Sequence, residues 1–364
     1  MNAVALHRTI LVMAGGTGGH VYPALAVANE LRAQSQSVVW LGTRRGLEAS
    51  VVPAAGIEIE WVSVKGLRRK GVVAMLAAPF QLAWALAQSI GVILRRRPSA
   101  VLGMGGFVAG PGGLAAWVTR RPLVIHEQNA VAGLTNRLLA RLARVVLQAF
   151  PGSFNSRVGA ETVGNPVRAD IAAVVPPAER YPNREGPLRL LVLGGSQGAL
   201  ALNRAVPAAL ARFDPGERPL VRHQSGARTL QVARTAYAEH GLGVDLVPFI
   251  DDMAAAYGWA DLVVCRAGAL TVAELCAAGL PALFVPYPAA VDDHQTANAQ
   301  AMAAAGAAEI LDESQLDADR LADRLRAMLT SREALLDKAE KARRLAMPDA
   351  LSRITEVCLR EAAS

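Results

Sequence analysis

The sequence predicts an α/β protein of two doubly wound halves, each an open parallel sheet covered by helices. Three observations carry this. Short apolar runs of strand length alternate with helical stretches from residue 9 onward, which is the pattern of a parallel sheet. The alternation is interrupted at 174–187, VVPPAERYPNREGP, where four prolines in fourteen residues mark a surface segment between halves. The run 188–193 then enters GGSQGA much as the first run enters GGTGGH. Two βα units with the same glycine turn suggest two similar domains facing each other across a cleft.

Composition narrows the class. The 364 residues suffice for two domains of ordinary size, and 52% are hydrophobic, enough for two cores. Cys265, Cys276 and Cys358 are odd in number and lack metal-ligand spacing, which fits a reducing compartment. The N-terminal apolar run 10–14 ends in a glycine turn and suits a first strand better than a signal peptide, so the chain is expected in the cytoplasm. A formal net charge of +7 and an isoelectric point near 9.8 point to an anionic partner, whether nucleotide, nucleic acid or acidic membrane. Aromatic residues make up 5% and are not interleaved with the basic clusters, which makes nucleic acid the weakest of the three.

Taken in order, residues 9–13 form the first strand. After the turn AGGTGGH a helix is expected over about 22–33, with Pro23 at its opening. Residues 37–41, 58–63, 101–103, 123–125 and 145–148 are the next strands, separated by helical or glycine-rich sequence. Residues 188–193 open the second half. Within it, 260–288 (ADLVVCRAGALTVAELCAAGLPALFVPYP) is a βαβ unit, with Gly279 and Pro281 stopping its helix. The loop 266–270 then sits at the carboxyl end of a strand, where open parallel sheets bind ligands and a helix start aims N–H groups at an anion. Glu274 has two readings. Thr271-x-x-Glu274 can be a capping box, or the carboxylate can hold a nucleotide ribose.

The glycine turns divide the chemistry further. AGGTGGHVYP offers the N–H groups a diphosphate needs. It is not a dinucleotide fingerprint, because Val21 stands where the third glycine belongs and the second strand ends Leu41-Gly42-Thr43 with no acid for an NAD ribose. GMGGFVAGPGG is either a second anion contact or purely structural. In GGSQGA, Ser196 adds a hydroxyl to the backbone donors. Asp292-Asp293-His294 can be drawn as metal ligands, but two acids opening a helix are more simply dipole partners. His126-Glu127-Gln128 similarly looks like a dyad, yet residues at a strand end can serve the fold.

The stretches GGTGGHVYPALAVA, GMGGFVAGPGGLAA, HEQNAVAGLTNR, VGNPVR, GGSQGA, FIDDMAAAY, CRAGALTVAEL and DDHQTANA resemble the MurG family of peptidoglycan N-acetylglucosaminyltransferases, over about residues 10–354. The resemblance implies a GT-B glycosyltransferase of two Rossmann-like domains, here 1–168 and 169–347, with 348–364 packing back on the first. It implies UDP-N-acetylglucosamine as donor, undecaprenyl-pyrophosphoryl-N-acetylmuramyl-pentapeptide (lipid I) as acceptor at the muramyl C4 hydroxyl, inversion, lipid II as product, and no cofactor or metal. Ile250 would present backbone to the uracil. Ala269, Leu270, Thr271, Val272, Ala273 and Glu274 would hold ribose and diphosphate, with Glu274 on the ribose hydroxyls. Ser196 would contact the diphosphate, Gln295 the sugar and Arg168 the donor, while Thr17, Gly18, Gly19 and Asn129 would reach donor sugar or acceptor. The sequence departs from the family at Ala289, where a histidine is expected. A UDP-sugar 2-epimerase of similar fold and a non-catalytic sugar-nucleotide-binding membrane subunit are the alternatives.

An acceptor hydroxyl attacking an anomeric carbon needs a base, and departing UDP needs positive field. His20, at the junction of the first glycine turn and its helix, is the candidate base, since histidine titrates near neutrality. Its competing reading is a helix-start residue that only hydrogen-bonds backbone. The helix start at Thr271 can supply the field.

Residues 72–94 carry no charge over 23 positions, which by length alone would span a bilayer. Pro79, Gly91, Gln81, Gln88 and Ser89 argue against spanning, which leaves a core helix or an interfacial one. Met75, Leu76, Phe80 and Trp84 fall near one helical face. Lys65, Arg68, Arg69 and Lys70 precede them and Arg95, Arg96 and Arg97 follow. An apolar patch with a basic rim suits the anionic cytoplasmic face of the inner membrane, bound peripherally.

Overall fold

In the computed structural model, Ile10, Leu11, Val12 and Met13 of the first strand are all fully buried. A strand apolar on both faces must be covered on both, which is the environment of a parallel sheet between helix layers. Residues 8–64, 72–195, 198–288 and 293–364 are described, the side chains of 72–77 excepted. They form two units: Met1–Pro166 with Pro348–Ser364, and Val167–Met347. The division falls two residues before the one expected, so Arg168 belongs to the second unit.

Unit 1 contains strands β1 (Thr9–Met13), β2 (Ser37–Gly42), β3 (Glu58–Trp61), β4 (Ala100–Gly103), β5 (Leu123–Glu127), β6 (Val145–Gln148) and β7 (Glu161–Thr162). They pair in parallel in the order β3-β2-β1-β4-β5-β6-β7. Ile10 lies opposite Val38 on one side and Ala100 on the other. Alternate residues supply two cores. Ile10, Val12, Trp40, Leu102 and Val124 pack with Val27, Leu31, Ile354 and Val357. Leu11, Met13, Leu41, Val101 and Ile125 pack with Val92, Ile93 and Ala116. The period of two that defines a strand thus builds a layer on each face. The helix Ala350–Ala363 contributes Ile354, Val357 and Cys358 to the first core, and its Arg353 donates to the Thr162 carbonyl at 3.1 Å.

Unit 2 contains β8 (Arg189–Leu193), β9 (Leu220–Gln224), β10 (Asp245–Val247), β11 (Leu262–Cys265), β12 (Ala282–Phe284) and β13 (Ala308–Ile310). All pair in parallel, in the order β10-β9-β8-β11-β12-β13. In both sheets the order reverses beside the first strand, between β1 and β4 and between β8 and β11. A doubly wound sheet opens a crevice at such a switch point. Glycine-rich or helix-starting segments follow all four of these strands. The three cysteines are free and buried, and burial raises every thiol, those of Cys276 and Cys358 to about 12, so they pack as small apolar residues.

Two helix starts differ from expectation. The helix Gly18–Ala33 begins inside the glycine turn, because the N–H groups of His20 and Val21 already close on the Thr17 carbonyl at 3.1 Å. Pro23 therefore lies inside the helix rather than at its opening. The helix of the βαβ unit is Ala269–Ala278 with Gly268 in the N-cap position. Thr271 is then its third residue and Glu274 lies in the second turn, so the capping box does not form.

Candidate functional site

In unit 1 the first glycine turn is held from below by Glu48, which is fully buried. Its carboxylate accepts from Gly16 N at 2.9 Å, Thr43 N at 3.0 Å and the Thr43 hydroxyl at 2.7 Å. Trp40 adds an indole N–H to the Ala14 carbonyl at 2.9 Å. Thr17, Gly18 and Gly19 open the helix with no side-chain cap, so their N–H groups stand at the positive end of its dipole.

His20 is half-buried, and its Nδ1 lies 3.0 Å from Gln128 Oε1. Gln128 Nε2 in turn lies 3.0 Å from His126 Nδ1 and donates to the His126 carbonyl at 3.3 Å. His126 Nε2 meets the Gly164 carbonyl at 2.9 Å. Burial pushes the His126 imidazole down to about 4, against a partial pull upward from that carbonyl and from Glu127, so the ring is neutral at physiological pH. Glu127 itself is no dyad partner. Its buried carboxylate accepts from Asn129 N, Asn129 Nδ2, Gly133 N and Asn136 Nδ2, all between 2.9 and 3.1 Å, and so fixes Asn129 and the loop after β5.

The turn after β4 closes on this cluster. A Cβ at Gly105 or Gly106, both at positive φ, would collide with the His20 ring or the Gly15 backbone. Close packing onto the first turn accounts for this pair of glycines.

In unit 2 the N–H groups that open Ala269–Ala278 face no side-chain cap. Glu274 is half-buried and accepts from the Tyr257 hydroxyl at 2.9 Å. Burial raises its carboxyl above the ordinary value, while the Tyr257 hydroxyl and the Arg168 charge act the other way. Tyr257 is held well above its usual value by burial and by Glu274, so it remains a donor. Arg168, half-exposed, also pairs loosely with Asp170 at 3.7 Å. The structure thus brings Arg168, Tyr257 and Glu274 together. Ala269 and Val272 are buried, and Leu270, Thr271 and Ala273 are partly exposed.

Ile250 donates its N–H to Gln224 Oε1 at 3.0 Å, so its carbonyl is the backbone group left for a base. Gln295 accepts from Tyr287 N at 2.9 Å, which leaves its amide NH2. Asn298 ties the same helix to the Ala267 carbonyl at 3.1 Å. Arg266 lies along the Val285 and Pro286 carbonyls and pairs with Glu313. Asp293 accepts from the Thr296 hydroxyl at 2.7 Å and makes no backbone cap. Ser196 and Asp292 lie outside the described residues.

The helix Val72–Arg96 has two faces. Ala85, Ser89, Val92 and Ile93 are buried, whereas Phe80 and Trp84 are 80% and 62% exposed. Of the three arginines expected as a basic rim at its end, Arg97 is exposed, whereas Arg95 and Arg96 are not free. Arg95 and Arg96 are both paired with Glu60, and Arg96 also with Glu58. Arg68, Arg69 and Lys70 and the side chains of Met75 and Leu76 lie outside the described residues. Among the described residues no helix is long and apolar enough to cross a membrane.

Residues 10–148 match the family model for the glycosyltransferase family 28 N-terminal domain, and 189–354 that for the C-terminal domain. A protein of Alkalilimnicola ehrlichii named UDP-N-acetylglucosamine--N-acetylmuramyl-(pentapeptide) pyrophosphoryl-undecaprenol N-acetylglucosamine transferase is 62% identical over 353 residues, 97% of this chain and 99% of its own. The crystal structure of Acinetobacter baumannii MurG is similar at a TM-score of 0.86 and 41% identity, covering 97% of this chain and 99% of that one. A UDP-GlcNAc 2-epimerase from Neisseria meningitidis, at a TM-score of 0.66 and 13% identity over 97% and 99%, shares the fold alone.

Proposed function

From the premise that this chain belongs to glycosyltransferase family 28 and has the GT-B fold, we propose that it transfers N-acetylglucosamine from UDP-N-acetylglucosamine to lipid I, giving lipid II for peptidoglycan synthesis. The likeness to named transferases runs through both units, and that observation carries the reading. The acceptor is the muramyl C4 hydroxyl and the anomeric centre inverts. Unit 2 holds the donor. The start of Ala269–Ala278, which has no side-chain cap, supplies N–H groups and dipole to the diphosphate, and the Ser196 hydroxyl is its further contact. Glu274 accepts from the ribose, the Ile250 carbonyl meets the uracil, and Gln295 and Arg168 contact sugar and donor.

Unit 1 supplies the base. His20 takes the proton of the acceptor hydroxyl as its oxygen attacks the anomeric carbon and the bond to UDP breaks, while Thr17, Gly18, Gly19 and Asn129 orient the sugars. Departing UDP carries the bonding electron pair, and the helix dipole favours that charge. No proton need reach a diphosphate leaving group.

The enzyme works as a peripheral protein on the cytoplasmic face of the inner membrane. The exposed Phe80 and Trp84 on one face of a helix otherwise packed in the core support this.

Incubation with labelled UDP-N-acetylglucosamine, with and without lipid I, tests the reading. Label should enter lipid only when acceptor is present. Formation of a 2-epimer without acceptor would mean an epimerase, and binding without turnover a non-catalytic subunit.

A further inference from the structure

Two backbone carbonyls of unit 1 fix the hydrogen-bond polarity of everything between them and His20. A carbonyl can only accept. Gly164 O, 2.9 Å from His126 Nε2, therefore requires a proton on that nitrogen. His126 O, 3.3 Å from Gln128 Nε2, requires the amide nitrogen of Gln128 to face strand β5, leaving its oxygen toward His20. The two constraints agree at the contact they share. Gln128 Nε2 donates to His126 Nδ1 at 3.0 Å, which is possible only if that nitrogen is bare. Burial independently keeps the His126 ring singly protonated.

Gln128 Oε1 can then only accept, and it lies 3.0 Å from His20 Nδ1. We propose that Gln128, set by His126 and the Gly164 carbonyl, is a positioning residue that holds His20 in the Nδ1–H tautomer, with the lone pair on Nε2. Among the described residues Nε2 has no protein partner. This rests on the reading of His20 as the base, and it names the atom that accepts the proton. The role matches that of the carboxylate in a hydrolase triad, but a neutral amide performs it, so it selects the tautomer without adding charge beside the imidazolium. Gly105 completes the clamp, since any larger residue would displace the ring from Gln128.

The test uses full-length protein with 15N-labelled histidine, the His20 signals being assigned by their loss in His20→Ala. Nitrogen shifts distinguish a protonated ring nitrogen from a bare one. With the ring neutral, wild type should show Nδ1 protonated and Nε2 bare. Gln128→Met should move the population toward Nε2–H, the form histidine prefers in water, and lower kcat by about tenfold or more with the donor KM unchanged. Gln128→Glu keeps an acceptor toward Nδ1 but loses the donor to His126, so it should restore the tautomer and only part of kcat. The His126 ring, whose Nε2 must stay protonated against the Gly164 carbonyl, reports in the same spectra whether unit 1 folds in each variant, and UDP binding reports unit 2. Nε2–H in the wild type, or an unchanged tautomer in Gln128→Met, overturns the proposal. The expected tautomers together with full kcat in His20→Ala would uphold the positioning and refute the base.

Discussion

Gly105 lies against His20 so closely that a Cβ at that position would stand 2.6 Å from the imidazole Nδ1. The glycine is also at φ +95°, where an L side chain is strained by about 1–3 kcal/mol. Gly105→Ala should therefore push His20 off Gln128. The expected result is a fall in kcat of about tenfold or more, with UDP affinity held because the residues proposed to hold UDP are in the other unit. Steady-state kinetics beside calorimetry of UDP would show it, and an unchanged kcat would mean that the ring position does not matter.

Glu274 and Tyr257 can be separated by their readouts. Glu274→Gln keeps an acceptor for the Tyr257 hydroxyl but weakens acceptance from a ribose, so UDP binding should weaken by roughly tenfold at nearly unchanged Tm. Tyr257→Phe removes a buried donor and should cost about 1 kcal/mol of stability as well as some affinity. Arg168 lowers the Glu274 carboxyl against the effect of burial, so Arg168→Gln should make UDP binding fail at a higher pH than in wild type. Calorimetry across pH 5 to 8 decides this. Full UDP affinity in Glu274→Gln would remove the ribose role.

Two buried imidazoles make the fold acid-sensitive. Burial lowers His126 to about 4 and His223 to about 3, from 6.5 in an unfolded chain. As pH falls through 6.5 the unfolded chain takes up protons that these folded sites refuse, so stability falls with pH until about 4 and 3 are reached. Each site contributes a slope of about 1.4 kcal/mol per pH unit. His126 is in unit 1 and His223 in unit 2, so both units should weaken by roughly 2 kcal/mol between pH 7 and pH 5. Urea unfolding at the two pH values measures it, and coincident curves would contradict the burial of both rings.

Phe80 and Trp84 are one helical turn apart and both exposed. Phe80→Ser with Trp84→Ser should leave the fold intact, because Ala85, Val92 and Ile93 on the opposite face keep their burial, and should reduce cosedimentation with anionic vesicles severalfold. The pairing of Arg95 and Arg96 with Glu58 and Glu60 predicts that serine at those two arginines has little effect on vesicle binding. The triple change of Arg68, Arg69 and Lys70 to Ser should weaken it in a salt-dependent way. Wild-type binding by both the aromatic and the 68–70 variants would exclude this segment as the anchor.

The strands and glycine turns were legible because their signals are local: apolar runs of four to six residues, and glycines where the next helix begins. The helix start at Ala269 was missed by two residues because Thr271 and Glu274 have the spacing of a cap, while the actual N-cap position is taken by Gly268 and rests on backbone alone. Glu48 gave no sign of its role, since its partner Gly16 is 32 residues away and a buried glutamate looks like any helix-start acid. Tyr257 was equally silent until the fold set its hydroxyl on Glu274. His126, Glu127 and Gln128 were visible as a polar run at a strand end. That Gln128 reaches His20, Glu127 a loop, and His126 both Gln128 and the Gly164 carbonyl depends on which way each side chain leaves the strand.

The helix Ala350–Ala363 seals a core whose other members lie between residues 10 and 163. A ribosome therefore finishes all of unit 2 before it makes the piece that completes unit 1. Until then the nascent first sheet exposes the groove meant for Ile354, Val357 and Cys358, and at about 2 kcal/mol for a buried aliphatic side chain that is a substantial deficit. Unit 2, continuous in sequence, can close first although it is synthesised second. A chain cut short after Met347 would keep the half proposed to bind the nucleotide and lose the firmness of the half that holds His20, so a late truncation would disable the enzyme far from where it strikes.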